Sequence, residues 1–190
     1  MKACRKHIDR KDHHTNYYFD CKRLKLRKRK FGLRIRLVNK RKAVLTLKFP
    51  AKGHHSSMKS LKVRHEFEEP IRMQSAQAII LGKKKVIELK AQPIKVLKKA
   101  FPRNHLELIY PLGAVKTVRT IAKLPKVKIE LDSFQMFGKK FYELEVETEK
   151  PKSADKAIRN LLRENKIPYH PITKSKLRRF LEMWKRTREI

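Results

Sequence analysis

The sequence predicts an α+β fold of about eight mostly antiparallel strands with helices, arranged as an open sheet or as an antiparallel β-barrel with the helices packed outside it. Three observations lead there. Segments that alternate apolar and charged residues lie on both sides of a central block, and a period of two marks strands. The central block and the C-terminal region instead carry apolar residues at helical spacing. Short runs of Gly, Asn and Lys separate alternating segments and can serve as hairpin turns.

Residues 1–16 are polar and without period; they suggest a basic tail over 1–12 followed by one domain over 13–190. Tyr17-Tyr18-Phe19-Asp20 is β-prone. Residues 33–37 alternate strictly and 44–49 nearly so, with Asn39-Lys40-Arg41-Lys42 as the turn between them. Residues 50–57, with Gly53, form a loop, and 61–68 alternate again and stop before Pro70. Met73, Ala76, Ile79 and Ile80 mark a helix that Gly82 can end. Residues 86–89 fit a helix or a short strand, and 94–100 a short helix behind Pro93. Residues 105–110, 114–122 and 126–132 read as strands, and Gly138-Lys139-Lys140 turns the chain into 141–147. Ser153 caps a helix over 154–165. Thr173 or Ser175 starts a last helix with Leu177, Phe180, Leu181 and Trp184 on one stripe.

The polar faces of these strands are strongly charged. They carry Arg34 and Arg36, then Lys48, then Arg64, Glu66 and Glu68, then Glu107, Lys116, Lys128, Glu130 and Asp132, and finally Glu143, Glu145 and Glu147. Residues two apart share one face of a strand, so carboxylates in such a row repel unless cations lie beside them. Two arrangements fit. In one, an open sheet turns its charged face to water. In the other, the sheet closes with the charges inside and the helices pack on the apolar exterior. The second interior suits a polyphosphate. Arg and Lys neutralise it, Arg through bidentate contacts, and carboxylates hold hard divalent cations that bridge to phosphate oxygens. That combination supports metal-assisted phosphoryl transfer to water.

Composition narrows the partners. The chain is 36% charged, with a formal net charge of +33 and a pI near 10.5. Self-repulsion of that size points to polyanions. The basic run over 22–30 suits a flexible loop that recruits nucleic acid or polyphosphate through phosphates. Two cysteines, Cys4 and Cys21, make no disulfide framework and suggest a reducing compartment. No apolar run reaches the roughly 18 residues of a membrane span, and the N-terminus has no secretory pattern. A soluble, cytoplasmic protein is expected, without a membrane partner. His13-His14 and His54-His55 are spaced too loosely for a zinc motif and read as polar loop residues.

At this point the residues resemble a family. Asn16-Tyr17-Tyr18-Phe19-Asp20, Leu33-Arg34-Ile35-Arg36 and Leu45-Thr46-Leu47-Lys48 are similar in order and spacing to successive signatures of the CYTH, or triphosphate-tunnel, superfamily. Ile129-Glu130-Leu131-Asp132, Gly138 and 142–147 resemble its second half, so the similarity spans roughly 13–186. The nearest branch is that of bacterial thiamine- or inorganic-triphosphatase-like members. The resemblance implies an eight-stranded tunnel. It implies that Arg34, Arg36, Lys48 and Arg119 contact phosphates. It implies that Asp132, Glu143 and Glu145 hold Mg²⁺ or Mn²⁺ or position the attacking water, with Glu66 or Glu68 adding a carboxylate. Lys176 would reach the tunnel mouth from the last helix. The substrate would be tripolyphosphate, thiamine triphosphate or a nucleoside triphosphate. One departure stands out. The family opens on a Glu-x-Glu-x-Lys strand, and residues 1–16 contain only Asp9 and Asp12 as acids. That gap leaves an alternative, an impaired or truncated member that binds polyphosphate or nucleic acid without turnover.

Overall fold

The computed structural model describes residues 7–51, 64–124, 127–146, 148–168 and 170–187. Cys4, Gly53, His54, His55, residues 61–63, Lys126 and Glu147 lie outside the described residues. The elements are β1 (Ile8–Asp20), α1 (Lys25–Lys28), β2 (Gly32–Val38), β3 (Lys42–Pro50), β4 (Arg64–Ile71), α2 (Met73–Ile80), α3 (Gln92–Ala100), α4 (Arg103–Leu106), β5 (Tyr110–Leu124), β6 (Val127–Met136), β7 (Lys139–Val146), α5 (Pro151–Glu164) and α6 (Lys176–Arg186). The strands form an antiparallel sheet with hydrogen-bonded order β4-β3-β2-β1-β5-β6-β7. The sequence suggested eight strands; seven occur among the described residues. The chain divides into two compact units. Among the described residues, the first spans 14–51 and 64–116, and the second 7–13 and 117–187.

In the first unit, alternation sorts the strands as expected. Leu33 and Ile35 of β2 stand opposite Leu47 and Leu45 of β3, and all four are buried. Ala76 and Ile79 of α2, Ile94 and Leu97 of α3, and Leu106 join them in one apolar core. Burying a Leu or Ile side chain contributes about 1.5–3 kcal/mol, so this face fixes the register. Arg34 and Arg36 are thereby placed on the other face. Asn39 and Lys40 both adopt positive φ in the β2–β3 turn, the backbone that tight hairpins require. Gly82, at φ +74°, lies just past α2 and ends it, as expected.

Three local expectations change here. β1 begins at Ile8, so residues 8–16 are strand and not tail. Their pairing in this unit runs from His14 opposite Val38 to Phe19 opposite Leu33. The basic run over 22–30 is held and not loose. The buried Asp20 carboxylate accepts backbone N–H groups of Cys21, Leu26 and Arg27 at 2.8, 3.1 and 2.9 Å, and Leu24 and Leu26 are buried. Residues 105–109 are not a strand, and only Tyr110 belongs to one, as the first residue of β5. The residues before it complete α4 and a turn, with Leu106 and Ile109 buried three residues apart. β4 also runs through Pro70 to Ile71, which an edge position in the pairing order permits.

In the second unit, β6 and β7 form a hairpin around Phe137 and Gly138, both at positive φ. The apolar face of the pair, with Ile129, Leu131, Leu144 and Val146, packs on Ala154, Ile158, Leu161 and Leu162 of α5. α5 starts at Pro151 behind Lys150, so Ser153 is not its cap; Pro at the first turn supplies the helical φ instead. α6 is capped by Ser175, whose Oγ accepts the Arg178 N–H at 3.2 Å. Phe180, Leu181 and Trp184 are buried, and Phe180 contacts Phe137 at 5.5 Å between ring centres. No helix among the described residues is long and apolar enough to cross a membrane.

Candidate functional site

Each unit gathers charged side chains on the sheet face opposite its apolar core. In the first unit, cross-strand register places Arg34 between Tyr18 of β1 and Thr46 of β3, and Lys48 opposite Glu66. Arg34 Nη2 lies 3.4 Å from Glu66 Oε1 and 3.3 Å from Glu68 Oε1, and Lys48 Nζ 2.7 Å from Glu66 Oε2. Thr46 Oγ1 donates to Glu68 Oε1 at 3.0 Å, and Arg36 Nε donates to Asn16 Oδ1 at 3.0 Å. Burial pushes the Glu68 carboxyl up, but the Arg34 charge and the Thr46 hydroxyl outweigh it and hold the group below the ordinary glutamate range. Arg34 Nε is buried without a hydrogen-bond acceptor among the described residues. Buried donors are nearly always satisfied, so this N–H is positioned for an acceptor from outside the chain. Glu66 and Glu68, expected to add a metal-binding carboxylate, here pair with the cations of β2 and β3.

In the second unit, β6 and β7 stand in a register that sets Glu130 opposite Glu145 and Asp132 opposite Glu143. Directly facing like charges destabilise an antiparallel pair. Four cations offset them, of which Lys128, half-exposed and 3.7 Å from Glu130 Oε1, is the outermost. Arg119 of β5 gives a bidentate contact to Asp132, with Nε and Nη2 each 2.7 Å from a carboxylate oxygen, and it also reaches Glu130 and, at 3.2 Å, Glu145. Lys176 Nζ lies 2.5 Å from Asp132 Oδ2, 3.2 Å from Glu143 Oε2 and 3.8 Å from Glu145 Oε1. Arg179 pairs with Glu143 and lies over the rings of Phe134 and Phe141, 5.2 Å from each ring centre. Basic residues are disfavoured in the first turn of a helix, which carries a partial positive charge. Lys176 and Arg179 occupy the first turn of α6 nonetheless, so their tertiary partners outweigh the local preference. A local rule broken in this way is a mark of a functional site.

Asp132, Glu143 and Glu145 each offer an oxygen within 4.8 Å of the others. Glu143 Oε2 is buried and accepts no hydrogen bond among the described residues, although the Lys176 ammonium is nearby. An all-carboxylate oxygen set of this closeness fits a hard divalent cation such as Mg²⁺ or Mn²⁺. Arg119, expected among the phosphate ligands with Arg34, Arg36 and Lys48, spends its donors on the carboxylates instead. Arg179 and Glu130 complete the cluster and were not among the expected site residues. Glu130 was visible as part of the charged face of β6. Arg179 was visible only as a second cation one turn after Lys176.

The electrostatics make a pH prediction. Burial alone would raise the Asp132 carboxyl, but hydrogen bonds from Arg119 and the charges of Lys176 and Arg119 hold it at about 2. A depressed carboxyl contributes stability that is full above its unfolded pKa, near 3.9, and is lost as pH falls through the folded value. Asp132 is therefore expected to account for about 2 kcal/mol of stability lost between about pH 4 and pH 2. Denaturant midpoints measured across that interval should fall less steeply in Asp132→Asn than in the unaltered protein.

With this geometry in hand, the chain can be set beside known proteins. No relative among functionally curated proteins matches it. Solved structures share its fold. A protein from Hippeastrum, proposed as an adenylyl cyclase and having a dominant triphosphatase activity, is 24% identical with a TM-score of 0.85, over 95% of this chain and 87% of its own. A proposed adenylate cyclase from Bacillus halodurans is 20% identical with a TM-score of 0.72, over 90% and 82%. A protein from Pyrococcus horikoshii is 22% identical with a TM-score of 0.58, over 96% and 92%. The family model of the CYTH domain matches residues 3–181, and the chain belongs to that family.

Proposed function

We propose that the protein binds a triphosphate and hydrolyses its terminal anhydride with the help of a divalent cation. The observation that carries this reading is the set of facing carboxylates on β6 and β7, with Arg119 paired to it and Lys176 and Arg179 drawn onto it against local preference. The family supports it, and so does the triphosphatase activity of the Hippeastrum relative. Arg34, Arg36 and Lys48 bind phosphate oxygens, Arg34 with the buried Nε that has no acceptor of its own. Asp132, Glu143 and Glu145 hold Mg²⁺ or Mn²⁺, which, when bound, offsets the charge that develops on the phosphoryl group. Glu145 is the most exposed of the three, with 45% of its side chain accessible against 0% and 2% for Asp132 and Glu143. It orients the attacking water and takes its proton. The water oxygen bonds to the terminal phosphorus, the bridging P–O bond breaks, and inorganic phosphate and a diphosphate group leave. Lys176 and Arg119 stay charged throughout and place the carboxylates.

Phosphate release from tripolyphosphate, thiamine triphosphate and a nucleoside triphosphate, each with Mg²⁺ or Mn²⁺, tests the proposal and ranks the substrates. Arg34→Ala and Glu145→Ala are each expected to lower kcat/KM about 100-fold or more while leaving the circular dichroism spectrum unchanged. Release that survives both substitutions, or no release from any of the three substrates with either metal, would overturn it.

A further inference from the structure

The excess positive charge lies outside both charged clusters. Those clusters hold seven cations (Arg34, Arg36, Lys48, Arg119, Lys128, Lys176, Arg179) and six carboxylates (Glu66, Glu68, Glu130, Asp132, Glu143, Glu145), so they contribute only +1 to the net +33. The surplus is on the surface, and in the first unit it is concentrated. Residues 22–30 contain seven basic residues and no acid, and residues 92–101 contain three and no acid. The structure joins the two segments. Arg29 Nη1 donates to the Ala100 carbonyl, and its guanidinium lies over the Phe101 ring, 4.8 Å from the centre. Phe101 in turn meets Phe31 edge-on at 5.1 Å. Lys28, Lys30, Lys98 and Lys99 are exposed, and no ion pair joins them to an acid among the described residues.

We infer that this ridge, made by α1 with its flanking residues and the C-terminal end of α3, is a nucleic-acid binding surface that engages phosphates without reading bases. Three features favour that occupant. The ridge is rigid: Asp20 fixes the backbone of α1, and Leu24 and Leu26 are buried beneath it, so little ordering cost remains at binding. Those leucines are the only apolar residues in 22–30, and with both buried the segment has nothing to insert into a bilayer. Both segments carry basic residues and no acid, and although Glu88 and Glu107 line the hollow beside Lys98, the surplus of one sign suits a polymer with the opposite charge. Lys98 and Lys99 also favour the C-terminus of α3 through its dipole. That local role does not extend to the lysines of 22–30.

The test uses the full chain, fluorescence anisotropy, and random-sequence duplex DNA and single-stranded RNA across a salt series. Binding should weaken steeply with salt, since each phosphate neutralised adds about 0.7–0.9 to the slope of log K against log salt. The triple variant Lys28→Gln, Lys98→Gln, Lys99→Gln should flatten that slope by about 2–3. Tripolyphosphate hydrolysis and the thermal midpoint should stay unchanged in this variant, which confirms that it folds. A control triple on the second unit, Lys152→Gln, Lys156→Gln, Lys166→Gln, removes the same charge and should change the slope little. Equal flattening by both triples would show that net charge alone binds, and would overturn the assignment. So would an absence of nucleic-acid binding, including one in which only long-chain inorganic polyphosphate or phosphatidylserine vesicles bind.

Discussion

Lys176→Met is expected to bind Mn²⁺ about 10- to 100-fold more tightly than the unaltered protein when no triphosphate is present. The Lys176 ammonium already occupies the space between the three carboxylates, 2.5, 3.2 and 3.8 Å from their oxygens. A divalent cation entering there must move it aside. Two charges 4 Å apart interact by about 4 kcal/mol at an effective dielectric near 20. Desolvation and the repulsion among the carboxylates return part of this, leaving about 1.4–2.8 kcal/mol of competition. Methionine keeps an apolar side chain without the charge, and its sulfur can lie on the Phe134 ring where the ammonium, 4.5 Å from the ring centre, lies now. Electron paramagnetic resonance of free Mn²⁺ reads the affinity directly and does not depend on turnover. Unchanged or weaker binding in Lys176→Met would show that the lysine supports the metal site instead of competing for it.

Arg119→Met is expected to destabilise the protein by about 3–5 kcal/mol, the cost of leaving buried carboxylates without their partner. Asp132 is 2% exposed and Glu130 7% exposed, and Arg119 satisfies both. Its guanidinium is held even more firmly in the charged form than usual. Burial opposes the charge, but the hydrogen bond and charge of Asp132, with Glu130 and Glu145, outweigh burial. Urea unfolding measured at neutral pH gives the difference. Arg119→Lys should recover only part of it, because an ammonium cannot reproduce two parallel bonds to one carboxylate. A loss below about 1 kcal/mol in Arg119→Met would mean that Lys176 and Arg179 alone suffice to hold the carboxylates.

The parts of the fold that were legible in sequence are those where burial and period agree. Residues 33–37 and 44–49 alternate because one face meets α2 and α3, and the strands lie where the pattern placed them. The start of β1 was not legible. Arg10, Lys11, Asp12 and His13 show no apolar alternation, and the strand there rests on backbone pairing that composition does not record. Residues 105–110 misled for the opposite reason. Leu106, Leu108 and Tyr110 alternate, but the buried pair is Leu106 and Ile109, while Leu108 is 65% exposed. The fixed shape of 22–30 depends on the side chain of Asp20, a long-range cap that no local propensity encodes.

The site followed the same logic. Period two put Asp132 on the charged face of one strand and Glu143 and Glu145 on that of the next, the family resemblance singled these three out, and their closeness across strands follows from the hairpin turn at Gly138. What the pattern did not contain was the pairing of cations to carboxylates. Arg119 belongs with Asp132, and Glu66 with Lys48, through tertiary register that alternation within a strand leaves open.

The facing carboxylates of β6 and β7 also bear on how this half of the protein is made. Synthesis delivers Arg119 ahead of the hairpin, but Lys176 and Arg179 only after it. A nascent β6–β7 ladder therefore emerges with Arg119 to hold Asp132 and Glu130, while Glu143 still lacks its cations. It consolidates once the first turn of α6 has left the ribosome and laid its cations across the pair.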